Sequence, residues 1–76
     1  MSIYKIIEVV GSSPNHWAEA AKIAVEEASK RIRDLRVAEI TKLDMKIKDG
    51  QVVAYRARLK LSFKLEGKDE DDDQDD

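Results

Sequence analysis

A strict two-residue alternation near the carboxyl end constrains this chain more than any other feature. Between residues 53 and 65 every second side chain is apolar, and most of the side chains between them are basic. Because successive side chains of a strand point to opposite faces, the pattern predicts one long strand over residues 51–66 with a buried face and a wet, basic face. The apolar set is Val53, Tyr55, Ala57, Leu59, Leu61, Phe63 and Leu65.

The predicted strand is too long for a chain of this size to cover alone. At roughly 3.3 Å per residue the alternating segment would run about 40 Å, whereas most strands have about 5–6 residues. The chain has 76 residues, no cysteine and one histidine. Disulfides, thiolate metal sites and histidine-cluster zinc sites within one chain are therefore excluded. Small domains without such supports commonly associate with other copies, so we expect an oligomer.

The amino-terminal half predicts a strand followed by a helix. Residues 2–10 are strand-like and are stopped by Gly11 and the residues that follow it. Ser13 is predicted as the N-cap, with Pro14 at the first position of a helix over residues 14–33. An alanine-rich apolar stripe would let this helix lie close to the sheet, with Trp17 as its one large anchor.

The segment over residues 35–48 alternates again, and an Asp49-Gly50 hairpin turn then leads into the long strand. Glu39 has the same parity as Leu35 and Leu43, so it is expected on the core side, where a carboxylate needs a partner. The element order is β-α-β-β. The predicted fold class is α+β, a three-stranded antiparallel sheet packed on one helix.

Charge divides the chain into a domain over residues 1–66 and an acidic tail over residues 67–76. The tail has seven acidic residues against Lys68, a net charge of −6, which leaves +4 on the domain. Such a tail is expected to be disordered, and its charge opposes nucleic-acid binding. No apolar run approaches the roughly 18–20 residues of a membrane helix, and no signal-peptide pattern is present, so we expect a cytoplasmic protein without a membrane partner.

No arrangement of residues predicts an enzyme. Ser12 or Ser13 with His16 could be imagined as a nucleophile and base, but these residues stand where a helix begins and are better interpreted as capping residues. Gly11 is isolated, so there is no glycine-rich phosphate loop. We therefore expect a non-enzymatic protein.

Three segments of the sequence, within residues 2–66, resemble the dodecin family: residues 4–14 (YKIIEVVGSSP), 37–40 (VAEI) and 61–66 (LSFKLE). The resemblance implies a hollow shell of twelve identical subunits. Most dodecins bind riboflavin or FMN in pairs at subunit contacts, for storage and photoprotection rather than catalysis. Such an assembly would account for the overlong strand.

Two positions that match the family's flavin pocket are substituted here. Val37 stands where flavin-binding members have a tryptophan that stacks on the flavin ring, and Arg56 stands where they have a glutamine. Stacking on an aromatic ring is a large part of what holds a flat ligand. The resemblance therefore implies an altered flavin pocket.

Other segments resemble the calcium-dodecin branch, which lacks the flavin tryptophan and is associated with calcium. These are residues 13–17, 36–38, 44–45, 55–56 and 62–64. Asp34 and Asp44 are our candidate metal ligands, although a helix-terminating and a solvated role are the alternatives for them. We expect a dodecameric binding or storage protein associated with calcium or a small ion. The alternatives are a flavin-storing dodecin and a structural shell without a specific ligand.

Overall fold

The computed structural model describes residues 2–67 and confirms the predicted element order. The elements are the strand β1 (Ser2–Ser13), the helix α1 (Trp17–Ser29), and the strands β2 (Leu35–Lys48) and β3 (Gln51–Gly67). The predicted acidic tail lies outside the described residues, apart from Gly67, so its predicted disorder stays a prediction.

The long alternating strand is the middle strand of the sheet. The strand order is β1-β3-β2, and both pairings are antiparallel. The predicted apolar face of β3 packs beneath α1, where Ala57, Leu59 and Leu61 are at most 1% exposed. The predicted half-buried strand is thereby confirmed between Tyr55 and Phe63, whereas Val53 and Leu65, at irregularities of the register, are 42% and 62% exposed. The face of the sheet opposite α1 is called the outer face below.

Small residues let α1 lie directly on the sheet. Ala20 and Ala21 are the buried helical residues of the core, and Gly11 of β1 passes beneath them. A methyl group added at Gly11 would collide with the carbonyl oxygen of Ala20 and would lie 2.9 Å from the β-carbon of Ala24. The predicted alanine stripe therefore works together with a glycine on the facing strand.

The predicted start of the helix was wrong by three residues. Ser13 still belongs to β1, opposite Tyr55, and its hydroxyl accepts the Asn15 N–H at 3.0 Å. This bond turns the chain, so that His16 becomes the N-cap and its Nδ1 accepts the Glu19 N–H at 3.1 Å.

The helix also ends earlier than predicted, at Ser29 instead of residue 33. The chain must cross from above β1 to the far edge of the sheet in order to begin β2. Asp34 makes this turn with a φ of 59°, and its carbonyl oxygen accepts the Lys64 N–H at 3.0 Å. An aspartate tolerates this left-handed conformation better than most side chains.

The predicted core position of Glu39 was also wrong, because β2 contains bulges. Ile40 lies opposite Leu59 and Lys42 lies opposite Arg58, so Thr41 is an extra residue that reverses the parity of the strand. Glu39 consequently lies opposite Lys60 on the outer face. Leu43, on the other side of the bulge, returns to the face of α1.

The hairpin between β2 and β3 continues beyond the rest of the fold. The last pair of β1 is Ser13 with Tyr55, so residues 46–54 form a two-stranded arm that neither β1 nor α1 covers. The predicted turn at its tip is confirmed, with positive φ at Asp49 and Gly50. The arm exposes large apolar side chains, and Ile47 is 64% exposed. An exposed apolar surface of this kind marks an interaction site.

Within residues 2–67, no helix has both the length and the apolar character that a membrane crossing requires.

Substituting Gly11 with alanine tests the close approach of β1 and α1. Overpacking of a core typically costs about 1–3 kcal/mol, so we expect Gly11→Ala to lower the free energy of unfolding by an amount in this range. Chemical denaturation measures the change. Ser12→Ala is the matched control, since Ser12 is exposed on the neighbouring position, and equal stability of the two variants would contradict the packing.

Candidate functional site

Val37, Asp44 and Arg56 all lie on the outer face of the sheet. Val37 is opposite Ser62, and Asp44 is opposite Arg56. Both partners on β3 belong to the parity that points away from α1. Two bulges of β2 produce this arrangement. The bulge near Arg36 places Val37 on the outer face, and the bulge at Thr41 places Asp44 on the same face.

Asp44 and Arg56 hold each other in a bidentate ion pair. The guanidinium donates from Nε to Oδ1 at 2.7 Å and from Nη2 to Oδ2 at 2.8 Å. The hydrogen bond from Arg56 lowers the pKa of Asp44 below its usual value, and nearby Arg58 and Lys42 add to the effect. In such a bidentate pair one lone pair of each carboxylate oxygen accepts a hydrogen bond from the guanidinium, and the other lone pair of each oxygen stays open. A cation at Asp44 would therefore have to displace or share Arg56.

The backbone of Asp44 is held from the opposite side of the sheet by Trp17. The indole Nε1 donates to the Asp44 carbonyl oxygen at 2.9 Å, and the indole ring meets the ring of Tyr55 edge to face at 5.1 Å between centroids. Trp17 thus fastens the amino-terminal end of α1 to the base of the arm. This agrees with its interpretation as a packing residue.

The residues at the flavin-matched positions do not form a flavin site within one chain. Val37 is 59% exposed and has no aromatic ring with which to stack. Its partner Ser62 is six residues from Arg56 along β3, a separation of about 20 Å. The guanidinium of Arg56 is already engaged by Asp44. The residues present therefore do not fit a flat flavin ring held between these two positions of one chain.

The two candidate metal ligands are far apart in one chain. Asp34 directly precedes β2 and Asp44 is ten residues further along, a separation of about 30 Å. The carboxylate of Asp34 is exposed, and its nearest cationic atom is Nη2 of Arg36 at 3.7 Å from Oδ1. Within residues 2–67 no group of three or more histidine, cysteine, aspartate or glutamate side chains could hold a metal ion. A calcium site at either aspartate would therefore have to draw on backbone carbonyl oxygens, water or oxygen atoms of other copies.

The serine and histidine near the start of the helix have structural partners. Ser13 is buried, and its hydroxyl donates to the Glu19 carboxylate, which Asn15 also contacts at 2.8 Å. The hydrogen bond from Ser13 is the main cause that lowers the pKa of Glu19. His16 caps the helix instead of activating the serine. The helix-capping interpretation is thus correct for His16 and wrong for Ser13, which belongs to β1 and holds the turn before the helix.

The ion pair between Asp44 and Arg56 predicts a pH-dependent difference between the wild type and Asp44→Asn. Because the folded-state pKa of Asp44 is lowered, the ionised carboxylate stabilises the fold above the unfolded pKa of about 3.9. This contribution is lost as the pH falls through the folded pKa. We therefore expect Asp44→Asn to be less stable than the wild type at pH 7, and the difference to disappear in acid.

Urea denaturation between pH 7 and pH 2.5 measures this difference. Arg56→Gln should remove most of the effect of the Asp44 substitution in a double-mutant cycle. A difference that stayed constant down to the lowest pH would contradict the assigned pair.

Comparison with known proteins identifies the family. The model of the family named Dodecin matches residues 3–66. A curated relative, calcium dodecin of Mycobacterium tuberculosis, is 40% identical over 65 residues, which are 86% of this chain and 92% of the relative.

Solved structures agree with this result. Dodecin from Streptomyces coelicolor superposes with a TM-score of 0.81 at 40% identity, covering 88% of this chain and 96% of that one. Calcium dodecin from M. tuberculosis, described as calcium-chelating and as having a novel calcium-binding site, gives a TM-score of 0.77 at 38% identity, with 86% and 93% covered. The shared β-α-β-β fold and the match over nearly all of residues 2–67 establish that this chain belongs to the dodecin family.

Proposed function

We propose that this chain is a non-enzymatic dodecin that binds calcium or a similar small cation as a homo-oligomer of twelve copies. The observation that carries the proposal is the state of the outer face, where a valine and an ion-paired arginine occupy the two flavin-matched positions. The similarity to a relative named calcium dodecin supports the choice of the cation.

The uncovered apolar surface supports the oligomer. Beyond Tyr55 the arm has no helix above it, and Ile47, Val52 and Val53 are each more than 40% exposed. Most of the edge strand β2 also exposes its side chains, including Ile40 and Leu43. Other copies of the chain would bury this surface, as expected of small domains with insufficient cores of their own.

Other copies would also supply oxygen ligands for the cation. Calcium takes about 6–8 oxygen ligands, and one chain does not bring Asp34 and Asp44 together. Of the two, Asp34 is the better candidate, because its carboxylate is exposed and 3.7 Å from the nearest arginine nitrogen. Asp44 would have to share its carboxylate with Arg56, or exchange the two short hydrogen bonds from Arg56 for the ion. We therefore place Asp34 in the primary role, with Asp44 as a secondary ligand.

Flavin storage is the alternative, and the outer face gives it less support. A pocket built between copies could still place Val37 beside Arg56 of another subunit. Valine, however, offers no π surface to a flavin ring. Loss of an aromatic pair removes about 0.5–1.5 kcal/mol of favourable interaction energy, in addition to the contribution of the buried surface area. A purified protein that is yellow, with quenched flavin fluorescence, would support this alternative against the cation.

Calorimetric titration with calcium chloride tests the proposal on the full chain. Weak calcium binding by the tail is removed in a second parent protein, in which the seven tail carboxylates are replaced by amides (Asp→Asn, Glu→Gln). We expect saturable binding to persist in that parent, and Asp34→Asn to weaken it at least about tenfold, the effect of losing one charged ligand.

Asp49→Asn provides a closely matched control. Asp49, like Asp34, has a positive φ, of 53°, and asparagine tolerates this conformation equally well. The control changes the net charge by the same amount at the tip of the arm, so its calcium affinity should equal that of the parent. Loss of all binding on tail neutralisation, or equal affinities of Asp34→Asn and Asp49→Asn, would contradict the proposed site.

A further inference from the structure

Four basic side chains collect at the end of the sheet from which the chain leaves β3. At this end Ser2 lies opposite Gly67, the last residue of β3. We name the group the basic collar, and its members are Lys5, Arg31, Arg33 and Arg36.

The pairing register and two surface cavities place these residues together. Lys5 lies opposite Phe63, and Phe63 in turn lies opposite Leu35. A polar cavity of about 450 Å³ beside Leu35 is lined by Arg33 and Arg36.

Arg31 lines a second cavity, on the side of β1, against Ile7. Since Ile7 is two residues from Lys5 on the same face of β1, Arg31 belongs to the same end of the molecule.

The acids near the collar do not balance its charge. Lys5, Arg31 and Arg33 are exposed, and none of them forms an ion pair with another residue of the described range 2–67. Asp34 lies 3.7 Å from Arg36. Glu27 borders the same cavity as Arg31, but its carboxylate is bound to Lys30 at 2.8 Å. Lys5, Arg31 and Arg33 therefore present their positive charges to solvent.

The acidic segment over residues 68–76 begins beside this collar. It follows Gly67 directly, and Ser2, opposite Gly67, is three residues from Lys5, about 10 Å along β1. Its nine residues can extend at most about 30 Å, which is enough to pass across the collar. The segment has seven acidic residues and one lysine. The match to the family model ends at residue 66, so this segment lies beyond it.

We propose that the acidic segment of each chain binds the basic collar of the same chain and shields it from other anions. Opposite charges in a network of several groups attract more strongly than one exposed pair. The attraction acts over a Debye length of about 10 Å at 0.1 M salt and about 3 Å at 1 M salt. The contact is therefore salt-sensitive, and concentrated salt releases the segment and opens the collar.

The arm provides an internal control for this proposal. Lys46 and Lys48 are exposed lysines of the arm. Lys46 lies opposite Ala54, which is thirteen residues from Gly67 along β3, or about 40 Å. The segment of the same chain is too short to reach them, so a local contact at Lys5 should leave their reactivity unchanged.

Lysine acetylation followed by mass spectrometry tests the contact in the full-length protein. Acetylation requires an accessible, unprotonated amine, and the rate at Lys5 is compared between the wild type and the variant whose seven tail carboxylates are amides. At low salt we expect Lys5 to react about fivefold more slowly in the wild type. Lys46 and Lys48 should react at equal rates in the two proteins, and 1 M sodium chloride should remove the difference at Lys5.

A second variant tests the collar itself. Arg31→Gln with Arg33→Gln keeps the acidic segment intact but removes two of its partners, so Lys5 should react faster than in the wild type at low salt. Three results would overturn the proposal: equal Lys5 rates in the wild type and the amide variant, equal changes at Lys5 and the arm lysines, or a Lys5 difference that persists in 1 M salt. The first would mean that the acidic segment does not cover Lys5.

Discussion

The contact between β3 and the alanine face of α1 is the interaction on which the other elements depend. Leu59 and Leu61 are buried because Ala20 and Ala21 bring the helix close enough to cover them. Gly11 allows the same approach over β1. The small residues let the helix and the sheet pack closely, but they also make the core small, with only five buried apolar residues among the described residues.

A mismatch of lengths leaves a large part of β3 without cover from the helix. The 13 residues of α1 span about 20 Å, whereas the 17 residues of β3 span about 55 Å. The helix can therefore cover less than half of its central strand, and the arm lies beyond it. The same limit applies to ligands, because one chain brings together neither Asp34 with Asp44 nor Val37 with Arg56. The proposed assembly and the proposed ligand binding thus have a common physical cause.

The long alternation of β3, the hairpin turn and the alanine stripe were predictable from the sequence, because each is a local pattern with one structural solution. The Asp44–Arg56 pair was not. An uninterrupted hairpin from Lys48 opposite Gln51 would place Asp44 opposite Tyr55, and a register shift near Ile47 moves it to Arg56. The bulge at Thr41 similarly moved Glu39 to the outer face. Bulges depend on how strands curve around the helix, which periodicity does not record. The His16 cap was missed because Ser13 and Pro14 form the stronger local signal.

Light-scattering mass of the purified full-length protein, measured on the wild type and on Ile47→Asp, tests the central claim most directly. If other copies cover the arm, the wild type should form a particle of about twelve chains. A charge at Ile47, which is 64% exposed on one chain, should then break the particle into smaller species without unfolding the helix. A wild type that is monomeric, or a charged arm that leaves the full particle intact, would contradict the account.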